Sequence, residues 1–234
     1  INKLPREAGV DKGVISNAQM LSDLMVEDLR ENSGPFRAQV AKLLKELASN
    51  GTLMTVNDEY RLQTTEGAEW DRAFREKAGA LRSRESEIES HRDQLLNAAI
   101  QSITTTVRIK QGAAKLQRQT VLHLGPNEPA NSGDRITVWL RDGWATSLKE
   151  VQDEARRRGQ EDPTLHLFIP KSNVDDLRAK IVESLASKAV LDGKGTPTEE
   201  GGKLAQKSMQ SRLSSAESSV KSLVEQIVSG SRLF

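Results

Sequence analysis

A mainly helical α+β fold is predicted by three features of this sequence. Long stretches carry apolar residues at helical spacing. β-branched runs are short and bounded by turn residues. Aromatic side chains make up only 3% of the 234 residues, against 29% charged. That profile suits helices with one solvated face better than an aromatic-rich sheet.

The first unit is read as residues 1–65. Asn17 is placed to cap a helix bearing Met20, Leu21, Leu24, Met25 and Leu29. Asn32-Ser33-Gly34-Pro35 interrupts it, and Pro35 suits the first turn of a second helix. That helix aligns Phe36, Val40, Leu43, Leu44 and Leu47 and stops at Asn50-Gly51. Thr52–Val56 and Glu59–Gln63, joined by Asn57-Asp58, read as a β-hairpin. Helix, helix and hairpin in this order give a winged-helix-like unit.

Residues 66–104 read as one long helix, the first half of a stalk. Trp70, Phe74, Leu81, Ile88 and Leu95 form its stripe, interrupted by Lys77, Arg84 and His91. Residues 105–190 read as a small α/β unit. Its predicted strands are Thr120–Leu124, Arg135–Leu140 and Pro163–Pro170. A polar helix begins at Thr146 or Ser147, and another aligns Val174, Leu177, Ile181 and Leu185. Strand–helix–strand order implies a partly parallel sheet. Residues 191–234 form a last helix whose Met209, Leu213, Ala216, Val220, Leu223 and Ile227 make a heptad seam. Its expected partner is the long helix, as an antiparallel coiled-coil pair, and self-association is open to it as well.

Composition removes several functions. There is no cysteine, so disulfide scaffolds, thiol catalysis and cysteine-ligated metals are excluded. The 34 basic and 33 acidic residues nearly cancel, so any nucleic-acid contact must be a local patch. No apolar run reaches the roughly 18–20 residues of a membrane span, and the start has no signal-peptide core. A cytoplasmic protein is expected. The missing initiator Met and the end just after a strong helix read as cuts in a longer polypeptide.

No complete catalytic site and no metal site is expected. Gly193–Leu204 resembles a phosphate loop, but Pro197 and Leu204 occupy positions that need Gly and Ser/Thr. It reads as a turn and helix start capped by Thr196 or Thr198. His91, His123 and His166 lack metal-ligand spacing. Asp142-Gly143-Trp144 ends a strand; Asp142 is next to Arg141, and Trp144 is either a core anchor or a partner-interface anchor. Two basic patches are candidates for phosphate contact: Arg37, Lys42, Lys45 and Arg61 on the second helix and hairpin, and Arg108, Lys110, Lys115 and Arg118 between long helix and first strand. The helix–hairpin patch ranks first.

Several phrases stand in a telling order: Asp58–Thr64 with Glu66–Trp70, Val138–Trp144, Phe168–Pro170 and Gly195–Gly201. Together they resemble the region beyond the ATPase core in the large P-loop protein of BREX phage-defence systems (the BrxC/PglY group). The resemblance implies a parent with an AAA-type ATPase that uses ATP and Mg. It implies BREX partners, including a methyltransferase and a phosphatase-like protein, and work on double-stranded DNA. The family's nucleotide-binding motif matches no position here, so no cofactor is implied for this chain. The expected role is a non-catalytic DNA- or partner-binding module. A winged-helix transcription regulator with an effector and dimerisation domain is the alternative. A third possibility, an enzyme using Asp142 or His166 in the α/β unit, lacks a nucleophile–base pair.

Overall fold

The apolar stripes and β-branched runs fold into seven helices and eight strands among the described residues, a mainly helical α+β arrangement. The structure is a computed structural model and describes residues 15–26, 33–106, 109–111, 113, 115–130, 133, 135–159, 162 and 164–234. In chain order the elements are α1 (Ala18–Leu24), α2 (Gly34–Ser49), β1 (Leu53–Val56), β2 (Glu59–Leu62), α3 (Thr65–Arg82), α4 (Glu85–Thr106), β3 (Ile109–Gln111) and β4 (Leu116–Arg118). They continue as β5 (Thr120–Leu124), β6 (Ile136–Asp142), α5 (Leu148–Arg158), β7 (Thr164–Ile169), α6 (Val174–Gly193), α7 (Glu200–Ser229) and β8 (Arg232–Leu233). They form two compact units, one of residues 1–83 and 182–217, the other of 84–181 and 218–234.

In the first unit, local chemistry sets the ends of the elements. Asn17 caps α1 by accepting the Met20 amide at 2.8 Å. Residues 27–32, including Leu29 of the expected helix face, lie outside the described residues. Asn57 and Asp58 take φ of 50° and 63°, and so make the two-residue reversal of the β1–β2 hairpin. Thr64 caps α3 by accepting the Gly67 amide at 2.9 Å. The core of this unit gathers around Trp70, with Val190, Ala205 and Met209 buried against it and Ala73, Phe74 and Leu191 at its margin. Arg212 closes one side: its guanidinium lies 4.3 Å from the Phe74 ring centre and 3.1 Å from an Asp71 carboxylate oxygen.

Two expectations change here. The long helix of 66–104 is two helices, broken at Ser83-Arg84. Ser83 bonds back to the Ala80 carbonyl, and Arg84 pairs with Glu87 in the first turn of α4. The division between the units falls at the same place. After the break the buried stripe is Ile88, Leu96 and Ile100, not Ile88 and Leu95. The second change is direction. Gly201, near the start of α7, packs against Glu66 at the start of α3, and Asp71 and Phe74 meet Arg212 further along both helices. α3 and α7 therefore run parallel, not antiparallel. A heptad repeat sets the spacing of knobs but carries no information about the sense of the partner helix.

In the second unit, β5, β6 and β7 are parallel neighbours and β8 joins β7 antiparallel. β8 extends the edge as Phe234 and His166 exchange backbone hydrogen bonds at 2.9 and 3.0 Å. Strand alternation divides the sheet faces. One carries Leu122, Leu124, Val138, Leu140, Leu165, Leu167 and Ile169. The other carries the opposed row His123, Trp139 and His166. Trp139 is buried, and Arg141 and Arg158 lie 4.7 and 5.1 Å from its ring centre. Glu154 of α5 holds Arg141 at 2.8 Å, and Asp162 holds Arg158 at 2.8 Å. α5 itself starts on a capping box in which Ser147 and Glu150 bond each other's backbone amides. β3 and β4 make a separate two-stranded hairpin, which sequence reading did not anticipate.

Removing the Trp70 side chain should empty the centre of the first unit. Trp70→Ala is expected to cost about 3–5 kcal/mol of unfolding free energy, read by urea denaturation. A loss under about 1 kcal/mol would mean that the Trp70 cluster does not organise this unit.

Candidate nucleic-acid interface

The chain is acid-free from Gln94 to Asn127, and its Arg and Lys residues there are Arg108, Lys110, Lys115 and Arg118. The β3–β4 hairpin presents most of this charge. Lys110 stands opposite Gln117, so both side chains share one face of the ribbon. Both are exposed. Ile109 and Arg118 stand opposite each other on the second face and are half-buried. Lys115 occupies the loop before β4 at φ 50°, and is exposed. Neither Lys110 nor Lys115 has an acidic partner among the described residues. Arg108 lies outside the described residues.

The helix–hairpin patch is different. Arg37 is held by Asp23 at 2.8 Å. Lys42 approaches Glu46 at 3.9 Å along the same helix. Arg61 stands opposite Met54 and Glu59 opposite Val56. Met54 and Val56 are buried, so this register turns Arg61 and Glu59 toward the inner face of the hairpin. Arg61 lies 3.5 Å from Glu59, and its Nε is buried without a hydrogen-bond partner among the described residues. Lys45 is exposed. Carboxylates thus offset three of the four cations locally, and the patch does not form one free cationic surface.

Trp144 sits within its own unit. Arg92 lies over its ring at 4.6 Å from the centre, and its Nε1 is buried without a partner among the described residues. The preceding turn explains the Asp142-Gly143-Trp144 sequence. Asp142 Oδ1 accepts the amides of Trp144 and Ala145 at 2.9 and 3.1 Å. A Cβ on Gly143 would lie 2.7 Å from the Lys171 amide nitrogen, so the close approach of the backbone requires glycine.

Beside this turn, at the carboxyl ends of the parallel strands, is a small cavity of about 110 Å³. It is lined by Asp93, Asn97, Leu124, Leu140, Asp142 and Ile169, among others. Strand ends of this kind are where open α/β sheets bind ligands. Asp93 is paired with Arg92 at 2.7 Å, and Asp142 is committed to its turn. Among the described residues no group of three or more His, Asp or Glu side chains is placed to hold a metal. No described helix is long and apolar enough to cross a membrane.

The loop resembling a phosphate site has a packing explanation. A Cβ on Gly202 would lie 2.6 Å from Pro197 Cβ, and one on Gly201 would meet the Glu66 carboxylate. α7 starts at Glu200, so neither Thr196 nor Thr198 is its cap. Of the histidines, His123 bonds the Asn127 carbonyl through Nε2 at 2.8 Å. His166 is buried 5.3 Å from the Trp139 ring centre, with no partner for either ring nitrogen among the described residues. The outer signal for the hairpin was legible as an acid-free stretch; its β pairing was not, because Ile109–Gln111 and Leu116–Arg118 are too short to show alternation. No known protein family, curated protein or solved structure matches the chain.

Burial lowers the His166 pKa from its ordinary value, with Arg158 and Arg141 acting in the same sense and Glu154 and Asp162 against it. The unfolded chain therefore takes up a proton first as pH falls, near its ordinary value of about 6.5. Stability is complete above that pH and declines as the pH drops below it. His166→Phe should flatten this decline in urea midpoints measured between pH 7.5 and pH 5; an unchanged slope would place the sensitivity elsewhere.

Proposed function

We propose that this chain is a non-catalytic nucleic-acid-binding module of a BREX-type ATPase. One observation carries the binding part of the reading: the exposed, acid-free β3–β4 hairpin, in a chain whose charges otherwise nearly cancel. Lysines without carboxylate partners remain available to neutralise phosphates, and releasing the counterions of a polyanion drives such binding. Lysines already paired gain less, because binding must first break their ion pairs. The BREX assignment rests on the ordered phrases from Asp58–Trp70 to Gly195–Gly201. Its work would be to bring a DNA backbone or a BREX partner to a motor elsewhere in the parent polypeptide.

Two charge-reversal variants test the reading on a 30-base-pair duplex at low salt. Lys110→Glu with Lys115→Glu should weaken binding by about tenfold or more and flatten its salt dependence. Arg37→Glu with Lys42→Glu and Lys45→Glu should weaken it less than about threefold. Equal losses from both sets, or a loss confined to the second, would move the interface to the helix–hairpin unit.

A further inference from the structure

We infer that the cavity at the carboxyl ends of β5, β6 and β7 binds a primary alkylammonium group, the chemistry of a short free amine or of a lysine side chain. The inference does not rest on the nucleic-acid reading. Asp142 carries the charge. Arg141, its neighbour in sequence, does not neutralise it. Strand alternation puts Arg141 on the Trp139 face, where Glu154 holds it at 2.8 Å. Asp142 Oδ1 accepts two turn amides, which fixes the carboxylate, and Oδ2 has no hydrogen bond or ion pair among the described residues. Asp93 of α4 gives its Oδ1 to the Arg92 guanidinium at 2.7 and 2.8 Å, and its Oδ2 is likewise uncommitted among the described residues. Asn97 lies one turn further along the same face of α4. Its side-chain amide has no partner among the described residues. Acceptors on three residues thus line one cavity, and no basic side chain lines it among the described residues. Arg92 is drawn aside over the Trp144 ring.

The donor set narrows the cation. An ammonium has three N–H donors and no acceptor, which matches single acceptors on three residues. A guanidinium pairs best with both oxygens of one carboxylate, and each carboxylate here has one oxygen to give. Calcium and magnesium surround themselves with about six or more oxygens. Here the remaining wall is apolar: Leu96, Leu140 and Ile169 are buried at its floor, and Leu124, 47% exposed, stands at its rim. Such a wall suits a hydrocarbon chain attached to the charged group. Volume sets the length of that chain. A cavity of roughly 150 Å³ holds benzene, so one of about 110 Å³ takes a chain shorter than six carbons.

The test is titration of the isotope-labelled, full 234-residue chain, followed through its amide chemical shifts. The probes are butylamine, butanol, butyltrimethylammonium, a lysine capped at both ends, and calcium chloride. Butylamine is expected to shift the amides of Asp93, Asn97, Gly125 and Asp142 to saturation. It should bind at least about tenfold tighter than butanol, which lacks the charge, or butyltrimethylammonium, which lacks the N–H donors. Asparagine keeps a side-chain oxygen for the two turn amides, so Asp142→Asn removes the charge and leaves the turn. It should weaken butylamine binding about tenfold with little change in thermal midpoint. Asn97→Leu keeps a good helix former and removes one acceptor, and should weaken binding about threefold; it decides the matter if Asp142→Asn does not fold. Capped lysine binding as tightly as butylamine identifies a lysine side chain as the source of the ammonium, and weaker binding identifies a free amine. Equal binding of butanol or of butyltrimethylammonium would overturn the inference. So would calcium saturating the same amides at lower concentration than butylamine, or no saturable shift from either amine.

Discussion

Trp139 is the constraint around which the second unit is built. It is almost fully buried at the centre of a parallel sheet, with His123 and His166 directly opposite it on the neighbouring strands. Its indole Nε1 donates to the Gly125 carbonyl at 2.9 Å and so fixes the start of the loop that leaves β5. Two guanidinium groups lie near its ring, and their charge calls for the carboxylates Glu154, Asp162 and Glu128. One side chain therefore sets strand register, anchors a loop and fixes where α5 can pack. A one-residue slip of either neighbouring strand would turn its histidine away from the indole.

The distribution of charge follows from the same economy of pairing. Arg37, Arg61, Arg92, Arg141, Arg158, Arg178 and Arg212 each meet a carboxylate within 3.5 Å. Arg178 and Glu85 make a close pair at 2.6 Å, and this hydrogen bond holds the Glu85 carboxyl below its ordinary range. The pairs Arg37–Asp23, Arg141–Glu154, Arg178–Glu85 and Arg212–Asp71 fasten one element to another within a unit. Against that background the β3–β4 hairpin stands out because its charges lie in the acid-free stretch from Gln94 to Asn127. A net charge near zero hides such a local excess, and the distribution of acids reveals it.

The two basic patches show how far the candidate site was legible. Both were visible as residue clusters, and the acid-free character of the second was a property of the primary sequence. Their ranking was not. Arg61 looked available because alternation along Glu59–Gln63 does not say which face is inner. The pairing with Met54 and Val56 decides that. Asp23 of α1 lies fourteen positions before Arg37 of α2, and their pairing is a product of packing. Trp144, open in the sequence between core and partner contact, is half-buried, with Arg92, fifty-two positions earlier, over its ring.

By itself the sequence determined the mainly helical α+β character, the β1–β2 hairpin, the three parallel strands in close bounds and the cap at Asn17, and it narrowed the start of α5 to Thr146 or Ser147. These depend on short-range chemistry: periodicity, β-branching, turn residues and side-chain oxygens near free amides. Only the tertiary structure decided the break at Ser83-Arg84, the parallel sense of α3 and α7, the addition of β8 and the inward turn of Arg61. The sense of α3 and α7 and the addition of β8 depend on partners far along the chain. A local pattern specifies which face of an element is apolar, but the element that covers it, and the direction in which that element runs, are set by packing as a whole.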